Sequence, residues 1–359
     1  MTRVAFVSEI PVSYRHGWFE YLREHSDLDV NVIYLASRQT DRPWEQTHTD
    51  TDWCQVVSSR SLPGTDSGFF ARISPTIGRT LLATEPDLVL LPGWAHPASW
   101  HAATWCRRNR IPYGVMFENW KAQSRTSMPA RVSERIRSMV LDHAAVALPA
   151  GTRAAEYAAT ITDVPIHVLH ANVADVDEAR KASAGIDERD RRVVFLGRLM
   201  DHKGIDVVLD MAATLDAYGI GVDVVGDGPR RPDVERAAAE GSLSYHGTLV
   251  GEEKFALLAR SHAALVPSVE EPWGVVVQEA LASGTPVLAS TEVGSTPEFI
   301  DAGVTGAVLP PERGAFEATV RSWADNLEPD RDACVARAES VNHATVSDEL
   351  ANAVEAVLA

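Results

Sequence analysis

Short apolar runs alternate with longer stretches of helical spacing through most of the chain. In the first half, "VAFVS" (4–8), "VNVIYL" (30–35), "DLVLL" (87–91), "YGVMF" (113–117), "AAVALP" (144–149) and "IHVLH" (166–170) read as strands. Between them, "HGWFEYLREH" (16–25) and "PASWHAATWCRRN" (97–109) have helical spacing. The rhythm then restarts with strands at "RVVFLG" (192–197), "GVDVVG" (221–226), "LSYHG" (243–247), "AALVPS" (263–268) and "PVLAS" (286–290), and with a helix-like "EEKFALLARSH" (252–262). Near-continuous apolar runs of this length are strands buried on both faces. Their alternation with helices predicts doubly wound α/β sheets of parallel strands. Two such series in tandem predict two Rossmann-like domains, 1–172 and 173–345, with 346–359 a C-terminal helix packing back toward the N-domain. The polar, charged stretch 170–192 marks the boundary. The loop 36–68 is long for a compact domain, which predicts short elements of its own or a place lining a cleft.

Composition narrows the class. A chain of 359 residues exceeds one ordinary core. An apolar content of 45% with 23% charged residues is that of a soluble globular protein. No apolar run reaches the length of a membrane span, and "MTRVAFVSEI" reads as a first strand rather than a secretory leader. The three cysteines, Cys54, Cys106 and Cys334, form no metal-ligand pattern or disulfide framework, which fits a reducing cytoplasm. A net charge of −17 argues against non-specific binding to nucleic acid or anionic membrane. Local basic sites and peripheral membrane contact stay open.

That acidity makes the cations informative. The chain has 29 arginines but only four lysines, and Lys203 falls with Arg198 in "FLGRLMDHKGID" (195–206). The strand ends at Leu196 and Gly197 allows a tight turn, so Arg198 emerges at the carboxyl edge of the sheet, where open α/β sheets bind ligands. Lys203 and Gly204 open the next helix, whose N-terminus itself favours anions. A guanidinium, an ammonium and helix N–H groups together suit a diphosphate; taken alone, the pair is equally well two solvated surface cations.

The second motif is "VEEPWGVVVQEALASGTPVLAS" (269–290). Pro272 and Gly274 break the chain before a helix expected from about Val275 to Ser283, closed by Gly284. Glu271 precedes that helix and Glu279 lies within it. Ionised carboxylates are acceptors only, which suits the paired hydroxyls of a sugar or a ribose. A capping acid plus an exposed helix glutamate is the plain alternative, but it leaves the "EPWG" context unexplained.

Over residues 192–310 the chain resembles the retaining GT-B glycosyltransferases of glycosyltransferase family 4, the glycosyl transferases group 1. "GRLMDHKG" resembles that family's arginine–lysine diphosphate motif, "VVGDGP" (224–229) its glycine-rich turn, "EPWGVVVQEALASGTPVLAS" its E-x7-E motif, and "GSTPEFIDAGVTGAVLP" (294–310) the segment that follows. The first half matches mainly in pattern: a strand at 4–8, Gly17 opening a helix, and "DLVLLPGWAH" (87–96). The resemblance implies a GT-B fold, two Rossmann-like domains facing a central cleft, and a hexosyltransferase-like activity. It implies that Arg198 and Lys203 hold the donor's diphosphate, that Glu271 binds the transferred sugar and that Glu279 binds the nucleotide ribose. It also places Gly197 and the backbone N–H groups of Gly274, Val275 and Val276 against the donor, and lets Gly17 approach the phosphate. His96 matches a family histidine near the reacting sugar. Trp94, Glu118 and Trp120 follow expected strands of the N-domain and are candidate acceptor contacts, with apolar packing the default for the tryptophans.

The implied co-substrate is a nucleotide-diphosphate sugar and the implied partner a hydroxyl-bearing acceptor, with no further cofactor. Cleaving a sugar–phosphate bond puts negative charge on the leaving diphosphate, and some cation must meet it. One D-x-D, Asp27-Leu28-Asp29, stands before a strand start and is poorly placed for a metal. Arg198, Lys203 and the helix start at 274–276 supply that field without metal. Two other readings are a GT-B nucleotide-sugar epimerase and a non-catalytic nucleotide-sugar-binding protein. The combination of Arg198, Lys203, Glu271 and Glu279 speaks against both.

Overall fold

The apolar runs pair into two separate six-stranded sheets, each parallel throughout. The computed structural model describes residues 1–37, 51–61, 72–121, 130–186, 188–326 and 330–359. Contacts divide the chain into one unit of Met1–Asn172 with His343–Ala359 and a second of Val173–Asn342.

The first unit runs β1 (Thr2–Ser8), α1 (Ser13–His25), β2 (Leu28–Tyr34), β3 (Cys54–Val56), β4 (Arg60–Ser61), β5 (Arg72–Ile73), α2 (Ile77–Thr84), β6 (Leu88–Pro92), α3 (Pro97–Asn109), β7 (Tyr113–Phe117), α4 (Ala130–Leu141), β8 (Val146–Pro149) and α5 (Gly151–Ile161). The second runs α6 (Val176–Ser183), β9 (Arg192–Leu196), a 3-10 turn (Asp201–Lys203), α7 (Ile205–Ala217), β10 (Gly221–Val225), α8 (Arg231–Ala239), β11 (Ser244–Tyr245), α9 (Gly251–Arg260), β12 (Ala263–Val266), α10 (Val275–Ala282), β13 (Val287–Ser290), α11 (Thr296–Phe299), β14 (Gly306–Leu309), α12 (Arg313–Asn326) and α13 (Arg331–Glu339). A last helix, α14 (His343–Leu358), belongs to the first unit.

The strand orders are β3-β2-β1-β6-β7-β8 and β11-β10-β9-β12-β13-β14. In both sheets the chain winds outward one way, returns to the middle and winds out the other way. The order therefore reverses between β1 and β6 in the first sheet and between β9 and β12 in the second. At such a switch point the loops leaving neighbouring strands part at the carboxyl edge and leave a crevice. Val4–Val7 of β1 and Val193–Phe195 of β9 are buried, as central strands covered on both faces must be. In α7, Ile205, Val208, Met211, Ala212 and Leu215 recur at helical spacing and bury one face.

The polar stretch expected at the boundary contains α6, whose Asp175 side chain accepts from the Glu178 N–H as an N-cap. Of the long loop at 36–68, the structure describes β3 and β4, while 38–50 and 62–71 lie outside the described residues. "IHVLH" is not a strand. It runs beside β8 with Ala147 N to Pro165 O at 2.9 Å and His167 N to Ala147 O at 3.0 Å. Pro149 has no N–H to continue the ladder, so the pairing stays an isolated bridge. Gly17 does not open a helix either: α1 already begins at Ser13, so Gly17 lies inside it.

Helix α14 buries Val346, Leu350, Ala353 and Val354. Its Glu349 accepts from the His170 backbone N–H at 2.9 Å and meets His170 Nδ1 at 2.7 Å. Among the described residues no helix is long and apolar enough to cross a membrane.

Candidate functional site

The loops that part at the second unit's switch point are the two that the sequence singles out. After β9 come Gly197, the half-buried Arg198, and the 3-10 turn that ends at Lys203. After β12 come Pro267 to Gly274, leading into α10. Backbone hydrogen bonds join the loops: Val269 N donates to His202 O at 2.9 Å, and Glu270 N donates to the same oxygen at 3.3 Å. Gly204 caps α7 with φ 74° and ψ 26°. A Cβ there would overlap the Pro267 carbonyl oxygen, so only glycine lets the turn sit this close to the second loop.

That approach places Lys203 Nζ in an ion pair with Glu271 Oε2, with side chains only 17% and 11% exposed. Glu271 is held from its other side as well. Its backbone bridges to Val293, with Gly294 N donating to Glu271 O at 2.9 Å. Gly274, with φ 94°, starts α10, and a Cβ on it would lie 3.1 Å from Glu271 Cγ. The Glu271 side chain therefore lies along the N-terminal turn of α10, where the first backbone N–H groups, those of Val275 and Val276 among them, have no intrahelical acceptor. The "EPWG" context is explained by Trp273. It is 2% exposed, packs edge-on to Phe299 at 6.1 Å between ring centroids, and accepts from Ser295 N at 3.0 Å through its carbonyl. The loop is thus anchored in the core beside Glu271.

Glu279 lies one turn into α10. Lys254 Nζ of α9 donates to its Oε1 at 2.7 Å. The glycine-rich turn after β10 packs on the Arg198 segment, since a Cβ on Gly228 would lie 2.6 Å from the Leu199 oxygen. From that turn Arg230 reaches Asp201 and Asp233, each at 2.6 Å, and also Asp206. Hydrogen bonds to Asp206, Asp233 and Asp201 raise the Arg230 guanidinium pKa still further. Arg230 offsets three carboxylates around the turn that carries Lys203 and ties that turn to the start of α7.

In the first unit the switch point joins Glu9, just past β1, to His96, just past β6. His96 Nδ1 accepts from the Arg72 backbone N–H at 3.3 Å, which puts the ring proton on Nε2, 2.7 Å from Glu9 Oε1. His96 is 2% exposed and caps α3, whereas the Glu9 side chain is 41% exposed. Glu118 accepts from Arg15 Nη2 at 2.9 Å and from Asn172 Nδ2 at 2.6 Å, closing a triangle with the Arg15–Asn172 contact. Trp94 packs on Phe117 at 5.1 Å between centroids, as part of the core margin. Trp120 lies under the cations of Lys121 and Arg153, 4.6 and 4.9 Å from its ring centroid. Gly17 faces α14, where a Cβ would lie 3.6 Å from His343 Cε1.

The expected residues therefore form two groups. Gly197, Arg198, Lys203, Glu271, Gly274, Val275, Val276 and Glu279 belong to the second unit, and Gly17, Trp94, His96, Glu118 and Trp120 to the first. Sequence reasoning passed over Glu9, Arg15, Asn172, Arg230 and Lys254. Only Lys254 carried a usable signal, the same lysine scarcity that drew attention to Lys203.

Residues 176–341 match the family model described as glycosyl transferases group 1. Over 146 residues the chain is 32% identical to alpha-D-kanosaminyltransferase of Streptomyces kanamyceticus, a match covering 38% of this chain and 37% of that protein. Over 177 residues it is 33% identical to D-inositol 3-phosphate glycosyltransferase of Mycobacterium tuberculosis, covering 45% of this chain and 35% of that protein. The matches thus span little more than a third of those relatives' own length. In three dimensions the chain resembles Anabaena Alr3699/HepE, solved in complex with UDP, with a TM-score of 0.75 over 99% of this chain and 100% of that chain at 16% identity. At that identity the likeness is one of fold, and the fold is of the GT-B class.

Proposed function

We propose that this chain is a retaining, metal-independent glycosyltransferase. It moves a hexose from a nucleotide-diphosphate sugar to a hydroxyl acceptor, in the cytoplasm, in the biosynthesis of a glycoconjugate, polysaccharide or natural product. The second unit holds the donor and the first the acceptor. The observation that carries the reading is the Lys203–Glu271 pair lying against the start of α10 at the switch point. It sets a cation, a carboxylate and helix N–H groups side by side, which is what a sugar diphosphate needs at its phosphate and hydroxyl ends.

In this reading Lys203, Arg198 and the α10 N–H groups meet the charge that grows on the leaving diphosphate. Glu271 accepts from hydroxyls of the transferred sugar and stabilises the positive charge on its ring, while Glu279 accepts from the ribose. Attack on the same face, with the donor phosphate taking the acceptor's proton, retains the anomeric configuration. Asp29 of the D-x-D at 27–29 stands at the start of β2, the end opposite the carboxyl edge, and Asp175 and Asp330, which open two of the further D-x-D triplets, cap α6 and α13, which supports a reaction without a divalent ion. The group 1 match over 176–341 supports the class, and the UDP bound by Alr3699/HepE makes uridine-linked sugars the first donors to test.

The test is a melting screen of nucleotide sugars followed by transfer assays in excess chelator, with the product anomer read by NMR. A donor at about a hundredfold over its Kd stabilises the folded chain by about 2.7 kcal/mol. No stabilisation by any nucleotide sugar overturns the donor reading. Activity lost to chelator and restored by magnesium or manganese overturns metal independence, and an inverted product overturns retention.

A further inference from the structure

We propose that Lys254 is a positioning residue of the donor site, holding Glu279 so that one carboxylate oxygen stays available for the ribose hydroxyls; the inference rests on the donor reading above. Lys254 stands on α9 and Glu279 on α10, with Nζ 2.7 Å from Oε1 and both side chains 18% exposed. A carboxylate so far withdrawn from water is costly unless a cation meets it. The ammonium is fixed in turn by the Phe255 ring, 4.2 Å from its centroid.

The choice of lysine carries the argument. This chain uses arginine for almost every cation, 29 against four. At Asp223, whose side chain is 3% exposed, arginine takes both oxygens: Arg192 Nε meets Oδ2 at 2.6 Å and Nη2 meets Oδ1 at 2.9 Å. That forked grip leaves little of the carboxylate for a ligand. An ammonium is a single point donor. It meets Oε1 and leaves Oε2 of Glu279 to accept from a hydroxyl. Glu271 is also held by a lysine, so both glutamates of the E-x7-E motif carry one of the chain's four lysines. Lysine stands where the carboxylate must both be neutralised and remain usable.

The experiment measures binding by calorimetry. The wild-type chain is titrated with UDP, ADP, GDP and dTDP, and the tightest of these is compared with its dideoxyribose counterpart. Losing hydroxyl contacts to a charged acceptor should weaken wild-type binding by about tenfold or more. In Lys254→Met and in Lys254→Arg that preference should collapse toward unity, while affinity for the dideoxy ligand stays near wild type. Lys254→Arg keeps the charge and guards against a variant that merely fails to fold. A role in packing or long-range charge predicts that arginine restores the preference, or that both ligands weaken together; either result overturns the assignment. A preference unchanged in both variants also overturns it. If the wild type binds none of the four diphosphates, or ignores the ribose hydroxyls, the donor reading itself falls and this inference with it.

Discussion

Replacing Gly204 with alanine should be far more damaging than replacing Gly219, although the two residues bracket the same helix. Gly204 caps the start of α7 at φ 74°, and Gly219 follows its end at φ 68°. Both substitutions force an L-residue into the left-handed region, at a cost of about 1–2 kcal/mol. Around Gly219 a Cβ meets nothing within 4 Å, so that is the whole cost. At Gly204 the methyl would overlap the Pro267 oxygen and lie 2.6 Å from its carbonyl carbon. Relieving the overlap means pushing the Pro267 loop aside, which adds about 1–3 kcal/mol as in other overpacked sites. Gly204→Ala should therefore lose about 2–5 kcal/mol in total. Urea unfolding followed by far-UV circular dichroism compares the two variants in the same transition, since both residues belong to the second unit. The displaced loop carries Glu271, so Gly204→Ala should also slow transfer more than its lost stability explains, and Gly219→Ala should not. If Gly204→Ala is no less stable than Gly219→Ala, the close packing of the two loops is wrong.

Lys203→Ala and Arg198→Ala should each lower turnover by roughly a hundredfold with the fold intact, the usual scale for removing one electrostatic donor; near wild-type rates in either would remove that residue from the diphosphate site. Glu279→Gln should raise the donor KM more than it lowers kcat, whereas Glu271→Gln should mainly lower kcat, because charge changes at the sugar and not at the ribose. Identical kinetic defects in the two would refute that division. Burial lowers the pKa of His16, which is packed on Trp53 and bonded to Tyr34, below its ordinary 6.5, with Glu20 opposing the shift only in part. The unfolded chain then takes up the proton first, so stability is present above that pH and is lost as pH falls through 6.5 toward the folded value. His16→Gln should flatten that slope in melting curves; an unchanged slope would assign it to other groups.

Elements governed by local sequence were legible without the structure. α3 begins and ends where Pro97 and Asn109 suggested, and α10 runs from Val275 until just before Ser283, because caps and breakers act within a few residues. Gly17 misled because glycine inside a helix and glycine at its start look alike in one sequence; what decides is the helix face turned to α14. "IHVLH" has a strand's apolar pattern, but its partner strand ends in a proline that cannot donate. Arg198, Lys203, Glu271 and Glu279 stood out through motif spacing. Their partners did not. The Lys203–Glu271 pair depends on Val269 and His202 meeting across two loops, and Lys254 meets Glu279 only because α9 and α10 pack together. The setting of His96 depends on Glu9, just past β1, and Arg72, in β5, which are far apart in the sequence.

The return of α14 to the first unit has a consequence for how the molecule is made. A ribosome delivers Met1–Asn172 first, then all of Val173–Asn342, and only then the helix that completes the earlier unit. The second unit can close while it emerges. The first must wait, with the surface that will receive Val346, Leu350 and Val354 uncovered and His170 without Glu349. For that interval, at about 5–20 residues per second, the half-finished unit presents an apolar strip to the nascent-chain environment. The order of synthesis and the order of folding are thus opposed, and this strip is where a chaperone would find its first hold.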